Sequence, residues 1–233
     1  MGFTDFAELP LASHSLADQV RARLEDMLCS GVLKPEDRTS IRELAEAMGV
    51  STMPVRDAVS RLVAGGALAI ERNRAVVVPK LSIADFQDLT EARILTEAEA
   101  TRRAAQRMTP EILNELRRIN DAFVEAMGDP GSTEPVPINQ RLHFCLYDAA
   151  GSATLSRIIA SNWLRAGPMI NLDIGMPTRR SRNASSMQAH AALLLALEAG
   201  DVEGAAAAVT IDIQSAAASI IENALGADRP KED

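Results

Sequence analysis

Apolar residues recur at helical spacing along most of this chain. Residues 14–30 form one such amphipathic stretch, and a glycine follows it. Beyond Pro79 the spacing stays helical, with no alternating strand pattern, and Pro168 predicts a bend in one helix. The helices predicted in this part cover 83–108, 110–127, 138–150, 153–171, 182–199 and 202–225.

Residues 41–62, IRELAEAMGVSTMPVRDAVSRL, have a different arrangement: two short amphipathic segments on either side of a tight turn. Gly49 stands where a left-handed residue would end the first helix. Ser51 opens the second helix, and Pro54 lies in its first turn, where a missing N–H costs nothing. Arg56 and Arg61 are left on the polar faces. This pattern predicts a helix-turn-helix whose second helix presents its N-terminal residues to the major groove of DNA.

A small β element is predicted directly after this motif. Two short apolar runs, 67–70 and 75–78, flank the basic turn Glu71–Arg72–Asn73–Arg74, and Pro79 ends the second run. Two short strands joined by such a turn are typical of the wing that accompanies some helix-turn-helix motifs. We therefore predict a winged helix-turn-helix domain at 10–80 and an all-helical bundle at 81–226.

Composition supports a mainly α protein, because only 3% of the residues are aromatic and alanine is abundant. Two cysteines, Cys29 and Cys145, are too few for a disulfide framework, and Cys145 is predicted to be a core residue. No apolar run reaches the ~18 residues of a membrane span, and no signal peptide is evident. These observations predict a cytoplasmic protein without a membrane partner.

The net charge of −8 is informative about DNA binding only when the charges are counted separately for each predicted domain. Residues 13–80 carry 10 basic and 9 acidic groups, whereas 81–233 carry 14 and 21. A DNA-binding face must therefore be a local cluster of basic side chains within a nearly neutral domain.

Residues 14–225 resemble the GntR-type bacterial transcription regulators, in the FadR-like subgroup with an FCD effector domain. The resemblance is carried by 41–62 and the wing, which match the family pattern E-L-A, G-V-S-R-x-P-V-R-E-A-L and R-L. It implies a homodimer that binds a pseudo-palindromic double-stranded operator. It also implies a repressor whose DNA affinity is changed by a small organic or sugar acid bound to the C-terminal domain.

The resemblance places DNA contacts on the helix-turn-helix and on the wing. An arginine at position 56 can form a bidentate contact with guanine, which lysine cannot. Thr52 departs from the arginine usual in the family, and Ala75 stands where glycine is usual. The alternative is that these arginines form an ordinary solvated face. The implied contact residues are Arg42, Ser51, Thr52, Met53, Arg56, Arg72, Asn73 and Arg74.

Polar residues of the C-terminal half predict a second site. Asn139 precedes His143 by four residues, so both lie on one helix face. His190 and Asp212 are symmetric about Asp201 in the turn between two predicted antiparallel helices, so they should face each other at equal height. The four groups could converge inside the bundle, as metal ligands do in other helix bundles.

Metal-binding members of the family carry aspartate at position 139 and histidine at position 212, so this chain departs from them. Two histidines, a carboxylate and an amide still form a plausible site for zinc, nickel or manganese with open coordination positions. The alternative is a polar, water-filled pocket in which His143 and His190 hydrogen-bond the effector directly.

Two arginines are candidates for binding an effector carboxylate. Arg93 falls at the R-x-x-x-E position of the family, with Glu97 one turn later, and Arg165 is the second candidate. The alternative for Arg93 is a surface ion pair with Glu97. Trp163 and Tyr147 are either pocket-lining or packing residues.

Three classes of function remain open at this point. A metal-dependent enzyme using His143 and His190 is the main alternative to a regulator, but the sequence has no nucleophile elbow, dinucleotide-binding glycine motif or P-loop. We therefore predict that the chain is not an enzyme. The third class is a DNA-binding dimer without a small-molecule effector.

Overall fold

The computed structural model describes residues 15–129, 132, 134–174 and 184–222. The described residues form an N-terminal unit of three helices and three short strands, followed by six further helices. In chain order these are α1 (Leu16–Cys29), β1 (Arg38–Thr39), α2 (Ile41–Met48), α3 (Thr52–Ala64), β2 (Ala69–Ile70), β3 (Val76–Val77), α4 (Ile83–Gln106), α5 (Pro110–Gly128), α6 (Pro135–Asp148), α7 (Ala153–Ile174), α8 (Ala184–Ala199) and α9 (Val202–Ile220).

Local signals fix the two helices of the central motif. Ser40 and Glu43 form a reciprocal capping box at the start of α2, and Gly49 ends that helix with a φ of 66°. Ser51 has the extended backbone of an N-cap, but its hydroxyl makes no capping hydrogen bond. α1 packs against α3, and the two helices bury their apolar faces around Leu24 and Val59. The predicted helix-turn-helix is confirmed.

The wing differs from the prediction by one strand. The antiparallel sheet has the order β1-β3-β2, and Val77 pairs with Arg38 on one side and Ala69 on the other. The sequence predicted β2 and β3 but missed β1. A two-residue strand between a polar turn and a helix cap has no alternation to reveal it, so only its partner defines it.

The six C-terminal helices form the predicted bundle, in which α9 packs along both α4 and α8. α6 begins at Pro135, three residues earlier than predicted, because proline is well tolerated in the first turn of a helix. α4 ends two residues earlier than predicted, while α7 runs through Pro168 to Ile174, three residues further than predicted. The predicted helix residues 14, 182–183 and 223–225 lie outside the described residues.

The two units meet where α1 packs against α7. Beside this contact lies a cleft of about 530 Å³, lined by side chains from α1, α3, α6 and α7. None of the helices in the described part of the chain is long and apolar enough to cross a membrane.

Candidate DNA interface and buried polar site

The eight predicted DNA-contact residues all lie exposed on the helix-turn-helix and the wing, and we call them the reading face. Four of them are arginines that form no ion pair within the described residues. Three other arginines of the same unit, Arg21, Arg38 and Arg61, are paired, whereas exposed Arg23 on α1 also forms no ion pair within the described residues. Arg61 contacts both Asp18, at 3.0 Å, and Asp57, at 2.9 Å, and Arg38 pairs with Glu71. The unpaired arginines of the reading face are Arg42, Arg56, Arg72 and Arg74.

The tip of the wing is shaped by its own polar residues. The Asn73 side-chain oxygen accepts a hydrogen bond from the Ala75 N–H at 3.0 Å, and the Glu71 N–H donates to the Ala75 carbonyl. Arg74 has a φ of 65°, so it occupies the left-handed position of the turn. In the family pattern the glycine of this turn is expected at position 75, which is one residue later. Because it holds the turn, Asn73 has a structural role in addition to any DNA contact.

Sequence reasoning missed Arg38, which lies on the unpredicted strand β1. It borders a groove of about 400 Å³ between the start of α2 and the wing, and Arg74 borders the same groove. The missed signal was its position two residues before the α2 N-cap, which carries it beside the wing once β1 pairs with β3.

Inside the bundle, polar side chains form a connected line that we call the buried polar line: Arg93, Glu97, Tyr147, His143, Asp212 and His190. It begins with Arg93, whose Nε donates to Glu97 Oε1 at 2.7 Å and whose Nη2 donates to Oε2 at 3.3 Å. Glu97 is 0% exposed, and the Arg93 guanidinium also stacks 5.0 Å from the Trp163 ring centre. The alternative that this pair lies on the surface is therefore wrong.

Glu97 is also the acceptor for two neutral donors. The Tyr147 hydroxyl donates to Oε2 at 2.6 Å and the Trp163 indole N–H donates to the same oxygen at 3.0 Å. Burial raises the pKa of Tyr147 well above its usual value, and the negative charge of Glu97 adds to this shift. Tyr147 therefore stays protonated, and both aromatic residues hold a buried carboxylate in addition to packing.

The hydrogen bonds of Tyr147 determine how His143 is oriented. His143 Nδ1 lies 3.0 Å from the Tyr147 oxygen, and the only proton of that hydroxyl is donated to Glu97. Nδ1 must therefore carry the proton that it shares with Tyr147. In the neutral ring, Nε2 then presents a lone pair to Asp212 Oδ2, 3.2 Å away. A proton on Nε2, donated to Asp212, or a cation between the two atoms would satisfy both.

His190 and Asp212 complete the end of the line. His190 Nε2 lies 3.9 Å from Asp212 Oδ2, and neither ring nitrogen of His190 has a hydrogen-bond partner in the described residues. Asp212 Oδ1 is also without a partner among them. Burial lowers the pKa of His190 to about 4, so the ring is neutral near pH 7. Burial raises the pKa of Asp212, but the hydrogen bond with His143, the charges of the histidines and a hydrogen bond with Ser186 outweigh it, and the pKa falls.

These features fit a metal ion. One atom each from His143, His190 and Asp212 lies within 4.8 Å of the other two, and the groups are buried. Neutral imidazoles and an ionised carboxylate are ligands that divalent transition metals prefer. The meeting of His190 with Asp212, predicted from the turn at Asp201, is present. Asn139 is buried one turn before His143 on α6, and its part in the site stays a prediction.

Arg165, the second predicted effector residue, is half-buried on α7 at the boundary between the two units. A side-chain carbon added at Gly66, in the turn after α3, would lie 3.5 Å from Arg165 Nε. The structure thus places Arg165 beside the N-terminal unit. Cys145 is half-buried and packs against the bundle core, in line with its predicted role.

The fold and its exposed arginines define a winged helix-turn-helix DNA-binding protein with a C-terminal helical domain. The family model of the bacterial regulatory proteins of the GntR family matches residues 16–78, and the FCD domain model matches 88–215. The chain belongs to the GntR family and carries an FCD domain. Because the family consists of transcription regulators, the prediction that the chain is not an enzyme is confirmed.

Relatives with this architecture are similar over most of their length. The HTH-type transcriptional regulator McbR of Escherichia coli K12 is 29% identical over 194 residues, which cover 82% of this chain and 86% of the relative. The uncharacterized HTH-type regulator BphR of Paraburkholderia xenovorans is 27% identical over 220 residues, covering 91% and 89%. The solved structure of E. coli McbR/YncC superposes with a TM-score of 0.83 at 27% identity, covering 89% of this chain and 98% of that one.

Proposed function

We propose that this GntR-family regulator is a repressor that binds a pseudo-palindromic operator as a homodimer and responds to a small organic or sugar acid. The observation that carries the DNA half of the proposal is the contrast between the unpaired arginines of the reading face and the paired Arg61 and Arg38 beside them. An unpaired guanidinium keeps all its donors for phosphate and guanine.

Within the reading face, Arg56 is the proposed principal base contact, because it lies in the first turns of α3. Ser51 has a hydroxyl free of capping, and Met53 is 73% exposed, so both can approach the groove together with Thr52. Arg42 lies in the first turn of α2 and is the proposed phosphate contact there. The wing residues Arg72, Asn73 and Arg74 supply a second contact with the backbone or minor groove.

The proposed effector site is the end of the buried polar line. His143, His190 and Asp212 would hold a zinc, nickel or manganese ion, with Asn139 as a fourth candidate ligand. A bound metal would supply an electrophilic centre for an effector carboxylate. The unpartnered ring nitrogens of His190 and the unpartnered Asp212 Oδ1, beside His143 Nε2, support a ligand at this end of the line.

Within this site, Arg93 forms an ion pair with Glu97. Glu97 accepts the Tyr147 hydroxyl, and Tyr147 in turn orients His143. It also keeps one guanidinium nitrogen, Nη1, that is not used in the pair with Glu97 and could reach an effector carboxylate. Arg165 was the other predicted effector residue. Its place beside Gly66 favours a contact between the two units over a contact with a ligand at the histidines.

The proposed dimer surface lies on α4 and α9. Arg102 of α4 pairs with Glu203 near the start of α9, so these packed helices run in opposite directions. Leu95 and Ile211 then lie at similar height, and they are 74% and 55% exposed. Large apolar side chains exposed together are typical of a protein interface.

Sedimentation velocity tests this surface. Leu95→Glu should give a monomer, whereas Leu195→Glu, on the exposed surface of α8, should leave the dimer intact.

Selection of DNA from a random pool by the purified protein tests the first part of the proposal. We expect enrichment of an inverted repeat whose half-sites lie about one helical turn apart, ~10 base pairs. Enrichment of a single half-site without symmetry would contradict the dimeric operator. Absence of any enrichment would contradict specific DNA binding by this chain.

Metal analysis tests the second part. Protein purified without a histidine tag and supplemented with zinc, nickel or manganese should retain close to one ion per chain, and His190→Ala should retain far less. Retention by neither protein would contradict the metal site.

Organic acids can then be screened by thermal melting. An effector should both stabilise the protein and change its operator affinity, and an acid that does neither is not one. If no acid does both, the DNA-binding dimer without an effector is the better description.

A further inference from the structure

Helix α7 has two faces that serve different parts of the molecule. Trp163, Ala166 and Ile170 are buried in the bundle. Leu164 packs against the core of the N-terminal unit, and Asn171, seven residues later on the same side of the helix, contacts the end of α1. One helix of the C-terminal domain therefore contributes a face to the DNA-binding unit.

Asn171 completes the hydrogen bonds at the C-terminal end of α1. A helix leaves its last four carbonyls without a partner inside the helix. In α1 the first two of these accept from the loop: Asp26 accepts from the Ser30 N–H and Met27 from the Leu33 N–H. The last two, Leu28 and Cys29, both accept from the Asn171 side-chain NH₂ at 3.1 Å. The residue that caps α1 thus belongs to the other domain.

The backbone around this contact is shaped for close approach. Gly31 has a φ of 80°, and a side-chain carbon placed there would lie 3.0 Å from Cβ of Asn171. A side-chain carbon at Gly167, one turn before Asn171, would lie 3.3 Å from the Leu28 carbonyl oxygen. Glycine at both positions lets α7 reach the carbonyls of α1 directly. The contact is therefore built from both sides of the domain boundary.

We propose that Asn171 is a positioning residue for operator recognition. It fixes α1 on α7, and because α1 packs against the recognition helix α3, it fixes the direction in which α3 projects from the bundle. In a dimer held together by the bundles, this angle sets the separation of the two recognition helices. The inference rests on the proposed dimeric binding to an inverted repeat.

The test is a series of duplexes based on the inverted repeat selected by the wild-type protein, with one or two base pairs inserted or removed between the half-sites. Wild-type affinity should fall about tenfold or more with each step, because a rigid pair of recognition helices fits one spacing. Asn171→Ala should bind the best duplex more weakly and should lose less than about threefold per step, because flexible attachment spreads the reach of each helix.

Asn120→Ala is the matched control. Asn120 is a buried asparagine on α5 whose side-chain oxygen has no partner in the described residues, so its loss perturbs packing but not the domain contact. This control should keep the steep wild-type dependence on spacing. Equal steepness in Asn171→Ala and wild type would overturn the inference. Equal flattening in both variants would overturn it as well, because general loosening would then explain the result.

A second measurement is independent of DNA and of dimer formation. Spin labels at Met53→Cys in α3 and Leu195→Cys in α8, in a Cys145→Ser background and diluted with unlabelled protein, report the distance between the two units. Burial raises the pKa of the Cys29 thiol to about 12, so this residue stays unlabelled. The distance distribution should be narrow in the wild type and broader in Asn171→Ala and Asn171→Asp.

Aspartate at position 171 would direct a carboxylate at two carbonyl oxygens, so it should broaden the distribution at least as much as alanine. Circular dichroism would confirm that each variant is folded. A distribution of unchanged width in both folded variants would overturn the inference. If no inverted repeat is selected but the distribution broadens, the domain contact is as inferred and the dimeric operator of the proposed function is what fails.

Discussion

The reading face and the buried polar line differ in what surrounds each charge. Arg56 on the reading face is exposed and has no ion pair within the described residues, whereas Arg93 in the line is buried and held by Glu97 at two points. Water stabilises an exposed guanidinium, so the side chain can remain unpaired in the absence of DNA. A buried one must be neutralised inside the protein.

This difference indicates where an external partner can bind. On the surface, the candidate contacts are the arginines that lack an internal partner and also lie on the helix-turn-helix or the wing. In the core of the described part of the chain, the same sign appears at Asn120 Oδ1 and, clustered at the end of the buried polar line, at both ring nitrogens of His190 and at Asp212 Oδ1. Arg93 carries the more conspicuous charge, but the atoms left without partners at the other end of the line are the better indicators of a ligand.

The largest effect is expected for Glu97→Ala. It would leave the Arg93 guanidinium, the Tyr147 hydroxyl and the Trp163 N–H buried without their acceptor, which should lower the free energy of unfolding by about 3–5 kcal/mol. Urea titration measures this. The matched control is Glu99→Ala, which removes an exposed ion pair with Arg103 on the same helix and should cost below about 0.5 kcal/mol. Similar costs for both variants would show that the buried pair is not special.

The second-largest effect on stability is expected from the addition of zinc. At a free concentration 100 times its dissociation constant, the ion should stabilise the wild-type protein by about 2.7 kcal/mol, seen as a higher melting temperature that a chelator reverses. His190→Ala should show no such shift. Cys145→Ala removes a half-buried thiol on α6 and should respond like the wild type. A zinc-dependent shift that survives in His190→Ala would place the ion elsewhere.

For Arg56→Ala we expect a loss of about 1–3 kcal/mol in operator binding, or roughly fivefold to 150-fold in affinity at fixed salt. Arg56→Lys should lose much of the same amount, because lysine lacks the fork that fits guanine. Arg61→Ala should change affinity far less, because Asp18 and Asp57 already engage that guanidinium. Fluorescence anisotropy with a labelled duplex gives all three values. An equal loss at positions 56 and 61 would refute the pairing criterion.

The smallest effect is expected at the wing. Arg74→Gly should raise the free energy of unfolding by up to about 1 kcal/mol, because glycine adopts the left-handed conformation without strain. The same variant should lose one phosphate contact, so the slope of log affinity against log salt should fall by about one. Ala75→Gly serves as the comparison and should bring no gain in stability. A gain at position 75 instead would show that the turn is formed differently.

The helix-turn-helix could be predicted because its determinants are local. A left-handed glycine at position 49 and a capping pair at Ser40 and Glu43 are readable within a few residues. The meeting of His190 with Asp212 was also predictable, since the short turn at Asp201 fixes the register of the two helices that carry them. In these places, the contacting residues are either close in sequence or carried by two helices joined by one short turn.

The missed features depend on residues far apart in the chain. β1 exists because Arg38 and Thr39 meet Val76 and Val77. Arg165 lies beside Gly66, nearly a hundred residues earlier, and Asn171 caps a helix that ends 142 residues before it. An arginine or asparagine on a helix has several possible neighbours. Only the packing of the two units selects one, so the pattern of a single helix could not identify these roles.

The cap that Asn171 places on α1 has a consequence for the construction of chimeric regulators. Joining residues 10–80 of this protein to the C-terminal domain of a relative would separate α1 from the helix that completes it. Such hybrids should bind operators with a weaker dependence on half-site spacing unless the recipient also receives Leu164, Gly167 and Asn171. The unit that can be exchanged between relatives therefore includes one stripe of α7 and is discontinuous in the chain.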